Sequence, residues 1–448
     1  MQENELKRGI GMMAALSTVM GTVIGAGVFF KTASVVNSTH SFTLTVLAWI
    51  VGGLLTICAG LTVSELAAAI PKTGGAIKYL DYTYGPLTGF SMGWAQILVY
   101  YPANIAAEAI IFSTQLINLF HLNPNILNPM AIIVALSVLF INLLGSKISG
   151  NVQTIALICK LIPIILIAIF GLFIPGAVHV SFLPISPSDH ANVWTAFGSG
   201  LLATMFAYDG WIGVCDVAGE IKNPKKNLPK AIIIGLSLIM VIYTLVNVAF
   251  LKTLPIDHIA GNQNTASETA IKLFGEFGGK LVTIGILVSV YGSLNGYTLS
   301  GMRIPYAMGQ SKSLPFSDWF AKLSKKTRVP YTSGIFQFVI AILMIFAGSF
   351  DLLTDMLVFV MWIFNCLLFI AVFKLRRKEP EMIRPYKVPW YPIVPIIALV
   401  GGIFILAETL ITQTGLALVG LLLTLIGIPV YYLQQRHLKT VNNKKAFD

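Results

Sequence analysis

Two short stretches of this chain carry residue types and spacings suited to holding a small zwitterion. The first is GTVIGAGVFF, which sets Gly21, Gly25 and Gly27 inside an otherwise apolar run. The second is GSGLLATMFAYDGWIGV, with Asp209 and Gly210 near its middle. Glycine costs a helix about 1 kcal/mol per position relative to alanine, so clusters in mid-run predict a locally unwound backbone. Unwinding in an apolar medium is tolerated only where the freed polar groups face protein or a cavity. A half-helix ending near Val23 offers carbonyls and the negative end of a dipole to an ammonium group. A half-helix beginning near Ala26 offers N–H groups and a positive end to a carboxylate. Val23, Ile24, Gly25, Ala26 and Gly27 are thus candidate binding residues. The competing reading of the same glycines is close helix–helix packing, for which small-xxx-small patterns are common in membranes.

Ionisable side chains inside apolar runs are costly and read as functional by default. Lys160, in ALICKLIPI, has no carboxylate within a helical turn, so its partner must come from another helix. Ser289, Ser293, Gly296 and Ser300 recur at i, i+4, i+7 and i+11, one narrow small-polar face that can supply it. The alternative is a lysine snorkelling to an interface. Asp209 either pairs with a cationic substrate, a proton or Lys160, or caps a half-helix without setting selectivity. Glu108 fits a structural hydrogen bond as well as a functional one. Asp216 and Glu220 precede KNPKKNLPK and read as its salt-bridge partners, whereas Glu65 and Glu408 give no signal.

The elements that must position these groups are membrane helices. Of 448 residues, 56% are hydrophobic and 11% charged, against roughly 25% charged in a soluble domain. Reading about 20 apolar residues per span predicts twelve spans, near 9–36, 42–70, 86–118, 126–145, 150–175, 195–219, 228–253, 279–310, 331–348, 352–375, 391–411 and 414–434. The alternating ten-residue segments of a membrane barrel are absent. The chain therefore reads as an all-α membrane protein, a single transporter domain over 1–448. Polar MQENELKRGI and the long run after it predict no cleavable signal peptide.

The formal charge of +11 calls for no nucleic acid, because 30 Lys and Arg distribute by loop. With the N-terminus inside, only Lys31, Lys252, Lys272 and Lys280 fall on the outer side, and Lys160 lies in a span. This bias predicts both termini cytoplasmic, and the membrane expected is a plasma membrane of bacterial type. Cys58, Cys159, Cys215 and Cys366 fall in apolar runs and read as small buried side chains. No H-E-x-x-H, P-loop or paired His/Cys ligand set occurs, so no enzyme, no cofactor and no ATP-driven pump is expected.

Interrupted segments at matching positions of two halves point to a transporter's site. Here they are spans one and six. They imply a five-plus-five inverted repeat (about 9–175 and 195–375) with two extra helices (about 391–434).

At these residues the chain resembles the amino acid–polyamine–organocation superfamily and, within it, the L-type amino acid transporter family. The resemblance rests on GTVIGAGVF, SELAAAIPKTGGAIKYL, FAYDGW, GEIKNPKKNLPKAI, GMRIPYAMGQSKSLP and RPYKVPWYPIVP, in that order over nearly the full length. Bacterial exchangers of the serine/threonine or alanine-serine-cysteine type look most similar. The resemblance implies that the substrate carboxylate meets N–H groups around Ala26 and Gly27. It also implies that the ammonium meets carbonyls of Val23, Phe206, Ala207 and Asp209, with Phe206 as an aromatic lid. Lys160 would stand where sodium-coupled relatives of the fold hold an ion, bridging the Gly21 carbonyl and the Ser289 hydroxyl. Two departures stand out. Ala26 replaces a common serine. Asp209 replaces a common glycine, and relatives that handle cationic amino acids can carry Asp there. Animal members pair with a single-span glycoprotein through a cysteine that HLNPNILNP lacks, so no disulfide-linked heavy subunit is expected.

The expected function is sodium-independent exchange of small neutral amino acids by alternating access, with the amino acid and the bilayer as the partners. The alternative is a proton-coupled permease for cationic amino acids or polyamines. A receptor is disfavoured by the lack of a signalling domain, and a channel by the lack of a filter motif.

Overall fold

Glycine and proline punctuate the apolar runs into helices in a computed structural model, which describes residues 11–70, 74–173, 192–212 and 221–445. Among these residues there is no strand. The principal helices before the second break are α1 (Met12–Val23), α2 (Gly27–Thr39), α3 (Phe42–Ala69), α4 (Gly75–Tyr84), α5 (Pro86–Ala95), α6 (Tyr101–Phe120), α7 (Leu127–Leu143), α8 (Ser146–Phe173) and α9 (Val193–Ala207). After it come α10 (Pro224–Thr253), α11 (Thr265–Gly301), α12 (Tyr331–Ala347), α13 (Phe350–Lys378), α14 (Ile393–Thr412), α15 (Thr414–Leu425) and α16 (Gly427–Lys445).

Local chemistry sets the boundaries. Ser41 caps α3 by accepting from the Leu44 N–H, and Asn192 caps α9 by accepting from the Trp194 N–H at 3.0 Å. Pro86 opens α5, where its missing N–H would have had no helical partner. Within α11, Gly275 adopts φ 71° and ψ 176°, a conformation glycine allows cheaply, so a short helix precedes the long one expected from about 279.

Among the described residues nine helices are long and apolar enough to cross a membrane, and α1 with α2 makes a tenth, bent by 47°. The chain is a multi-pass membrane protein. Large apolar side chains such as Ile133, Phe140, Leu343 and Phe346 are exposed, which is stable only against lipid. One expectation is corrected here. Lys31, counted with the outer-side charges although it falls within the first expected span, lies inside α2 and is fully buried, because the helix resumes at Gly27 and continues to Thr39.

The helices form two compact units. The first holds Met1–Thr83, Leu157–Val290 and Trp362–Gln413. Inside it, α3 meets α10 along small residues: a Cβ on Gly53 would lie 2.4 Å from Met240 Cγ, and one on Gly60 2.7 Å from Ile232 Cγ2. Lipid gives helices no hydrophobic reason to associate, so such close packing supplies the attraction. Glu65, near the end of α3, is 2% exposed. It accepts from Arg376 Nε at 2.8 Å and Nη2 at 2.6 Å, and from the Val388 N–H at 2.7 Å. That one carboxylate ties α3, α13 and the segment leading into α14.

The second unit holds Tyr84–Ala156, Tyr291–Met361 and Thr414–Asp448. Its buried polar hub joins Asn142, Ser149 and Asn295. Asn142 Nδ2 donates to Asn295 Oδ1 at 2.9 Å, Ser149 Oγ to Asn142 Oδ1 at 2.8 Å, and Asn295 Nδ2 to the Ser149 carbonyl at 3.0 Å. Cys58, Cys159 and Cys366 carry free thiols. Cys215, Asp216, Glu220, Lys72 and the N-terminal ten residues lie outside the described residues.

Candidate functional site

A helix leaves its last carbonyls and first N–H groups without helical partners, and the break between α1 and α2 can be followed group by group. Ile24 turns extended (φ −71°, ψ 103°) while its N–H still reaches the Met20 carbonyl at 3.0 Å. The chain re-enters a helix at Gly27, with the Phe29 and Phe30 N–H groups meeting the Ala26 carbonyl at 3.0 and 3.2 Å. The carbonyls released at the end of α1 then find other neighbours. Lys160 Nζ donates to Gly21 O at 3.0 Å and to Ile24 O at 2.5 Å. The Tyr243 hydroxyl donates to Val23 O at 3.1 Å. The Thr22 carbonyl faces Gly210, where a Cβ would lie 2.6 Å from it.

The second break lies against the first. Helix α9 ends at Ala207, the Asp209 N–H folds back to the Phe206 carbonyl at 3.1 Å, and Gly210 takes φ 93°. A Cβ on Gly27 would sit 2.4 Å from Ala207 Cα. The breaks therefore touch at two points, Gly27 with Ala207 and Gly210 with Thr22, and each contact requires glycine on one side. At Gly210 the left-handed backbone adds a second reason.

Buried aromatics wall this region. Trp49, Tyr208 and Tyr243 lie with ring centroids 5.4 to 5.9 Å apart, and the Tyr208 hydroxyl donates to the Trp49 carbonyl at 2.8 Å. Phe206 is 5% exposed, and Lys31 Nζ stands 5.9 Å from its ring centroid.

The structure thus brings Gly21, Val23, Ile24, Gly25, Ala26 and Gly27 together with Phe206, Ala207 and Asp209, with Lys160 against the end of α1. It does not bring Ser289 in as a bridge. The Ser289 hydroxyl is fully buried without a hydrogen-bond partner, and the second acceptor of the ammonium is the Ile24 carbonyl. The physical reason is that a carbonyl at a helix C-terminus carries the negative end of the dipole and outcompetes a neutral hydroxyl for a cation. Asp209 is half-buried beside the second break, and Glu108 is buried in α6 of the other unit. Glu408 accepts from Ser199 Oγ at 3.0 Å, tying α14 to α9. Among the described residues no group of His, Cys, Asp and Glu is placed to hold a metal ion.

Sequence reasoning missed Tyr243 and, although it included Ile24 among the binding residues, the Ile24 carbonyl as a partner of Lys160. A tyrosine within the apolar run LIMVIYTLVNV had signalled a buried hydroxyl in need of a partner. The Ile24 carbonyl had no signal, since every residue carries one. The arrangement leaves the N-terminal N–H groups of α2 able to meet a carboxylate and second lone pairs on the α1 carbonyls able to meet an ammonium.

A sequence model of the amino acid permease family matches residues 10–431. The chain is 41% identical over 433 residues to the serine/threonine exchanger SteT of Bacillus subtilis (strain 168), covering 96% of this chain and 98% of that one. It is 29% identical to the human cystine/glutamate transporter, over 96% of this chain and 85% of the relative. It is also 29% identical to the human large neutral amino acids transporter small subunit 2, over 96% and 80%.

Proposed function

The chain belongs to the amino acid permease family, and from that premise we propose that it exchanges small neutral amino acids, such as serine, threonine, alanine or cysteine, without sodium. It is a transporter and not an enzyme. The observation that carries the reading is the meeting of the two helix breaks, Gly27 on Ala207 and Gly210 on Thr22, with a buried ammonium on the carbonyls that end α1.

In this reading the substrate spans the first break. Its carboxylate takes the N–H groups of Ala26 and Gly27, and its ammonium takes carbonyls at Val23, Phe206, Ala207 and Asp209. Phe206 covers it. Lys160 holds the end of α1 with a fixed positive charge, where a coupling ion would otherwise have to bind. A charge that never leaves gives no coupling to a sodium gradient, so net movement follows exchange. Substrate binding favours the conformations in which both breaks are closed around it, and transport follows from that differential affinity.

Twelve spans are supported by the nine long helices, the bent pair α1–α2 and the two shorter apolar helices α9 and α12. The five-plus-five repeat is supported by where corresponding helices fall. The first two spans of each half lie in the first unit, and the third span's main part and the fourth span of each half lie in the second. The lysine bias supports cytoplasmic termini in a bacterial-type plasma membrane, and the absence of cysteine from residues 121–129 supports a chain that works without a disulfide-linked subunit. Lys31, buried beside Phe206, favours neutral over cationic substrates.

The test is counterflow into serine-loaded proteoliposomes with a panel of labelled amino acids. Serine, threonine, alanine and cysteine exchange, and lysine, arginine and putrescine do not. Exchange confined to the cationic solutes would overturn the reading.

A further inference from the structure

A cavity of about 620 Å³ opens in the second unit where α7 ends and α12 begins, lined by Leu143, Lys322, Leu323, Ser324, Lys325 and Tyr331. We propose that it is a binding site for an anionic phospholipid, with the phosphate-bearing headgroup at the lysines and the acyl chains along the outer faces of α7 and α12. The proposal goes beyond the transport function and stands apart from the substrate site.

Charge is the first argument. Lys322, Lys325, Lys326 and Arg328 fall within seven residues, whereas residues 319–350 and 127–160, which supply the walls, contain no Asp or Glu. Lys322 and Lys325 are exposed, and the nearby Lys312 is paired with Asp318. The Tyr331 phenol adds a neutral donor at the same mouth.

The loop is also built. The Ser324 N–H donates to the Val329 carbonyl at 2.9 Å, and the Arg328 N–H to the Ser324 carbonyl at 3.0 Å. Beyond it, Thr332 Oγ1 donates to the Trp319 carbonyl at 2.7 Å and Ser333 Oγ to the Phe320 carbonyl at 3.0 Å. The backbone that carries both lysines is therefore fixed before any ligand arrives, which lowers the ordering cost of binding.

The third argument selects a lipid over a soluble anion. Leading away from the cavity, α12 exposes Ile335, Val339, Leu343 and Phe346 at i, i+4, i+8 and i+11, and α7 exposes Leu136 and Phe140. Two apolar stripes that begin at a basic mouth match a molecule with an anionic head and two hydrocarbon tails. The lysines lie at the helix ends where the positive bias puts the cytoplasm, the depth of a headgroup. A zwitterionic headgroup fits less well, since its own cation meets the ammonium groups.

The experiment uses the purified full-length chain in detergent. Retention by native mass spectrometry and thermal-unfolding shifts are measured with dioleoyl phosphatidylglycerol, dioleoyl phosphatidylcholine and inorganic phosphate. Phosphatidylglycerol alone is retained and raises the unfolding temperature. The K322Q/K325Q double variant weakens its retention about thirtyfold, which corresponds to ~1 kcal/mol for each lysine. The K378Q/K387Q variant, with the same loss of charge at exposed positions, retains it as the parent does. Equal effects of phosphatidylcholine, a matching shift with inorganic phosphate alone, equal loss in both double variants, or full retention by K322Q/K325Q would each overturn the proposal.

Discussion

Replacing Lys160 by methionine keeps most of the side-chain volume and removes the ammonium that meets the Gly21 and Ile24 carbonyls at 3.0 and 2.5 Å. Hydrogen bonds to a charged donor contribute about 1.5–3 kcal/mol each. Taking the lower figure twice gives ~3 kcal/mol lost from the broken conformation of the first span, since a continuous helix would satisfy the Gly21 carbonyl internally and needs no lysine. A binding-competent state that falls in population weakens apparent affinity in proportion, and ~3 kcal/mol corresponds to about two factors of ten. Serine binding by scintillation proximity, with thermal unfolding as a check on the fold, therefore drops about a hundredfold in Lys160→Met. Lys160→Arg does not restore it, because a planar fork needs a different acceptor geometry. Affinity and uptake within about twofold of the parent, in a protein that still unfolds cooperatively, would refute the reasoning that the lysine holds the break.

Gly27→Ala places a methyl 2.4 Å from Ala207 Cα, so the breaks must separate and serine binding is lost; unchanged affinity in a binding assay would show that this contact yields freely. Gly210→Ala does the same through Thr22 and adds left-handed strain at φ 93°, predicting a larger fall in unfolding temperature than Gly27→Ala. Glu65→Gln leaves Arg376 with a neutral partner. Breaking a buried pair costs about 3–5 kcal/mol, less here because Arg376 is 21% exposed, so differential scanning records a fall of about 5 °C. Asp209→Gly lowers uptake of all substrates by one factor, through a looser second break; a selective loss of lysine and arginine in competition assays would contradict the neutral-substrate reading.

The breaks were legible because glycine is conspicuous where a helix pays for it, at Gly21, Gly25, Gly27 and Gly210. Lys160 was legible because a charge in an apolar run demands a partner. The partner itself was half legible. Gly21 followed from the family resemblance, but the pairing with the Ile24 carbonyl did not, since backbone carbonyls look alike in sequence and only the path of the chain selects one. Ser289 was plausible as a hydroxyl on a polar stripe, yet chemistry at a helix end prevailed. Lys31 was counted with the outer charges because a lysine toward the outer end of a span usually reaches water, whereas here it is fully buried with its ammonium near the Phe206 ring. Glu65 gave no signal because its partners Arg376 and Val388 lie over 300 residues away. Local patterns carry information about local cost, and long-range pairing carries none until the fold supplies it.

The central claim is exchange independent of sodium, and vesicle loading tests it directly. Proteoliposomes holding the chain alone are filled with unlabelled serine or with buffer, and labelled serine is added outside in sodium or choline chloride. The account predicts rapid uptake only into serine-filled vesicles, at the same rate in either salt. Accumulation into buffer-filled vesicles that requires sodium would contradict it.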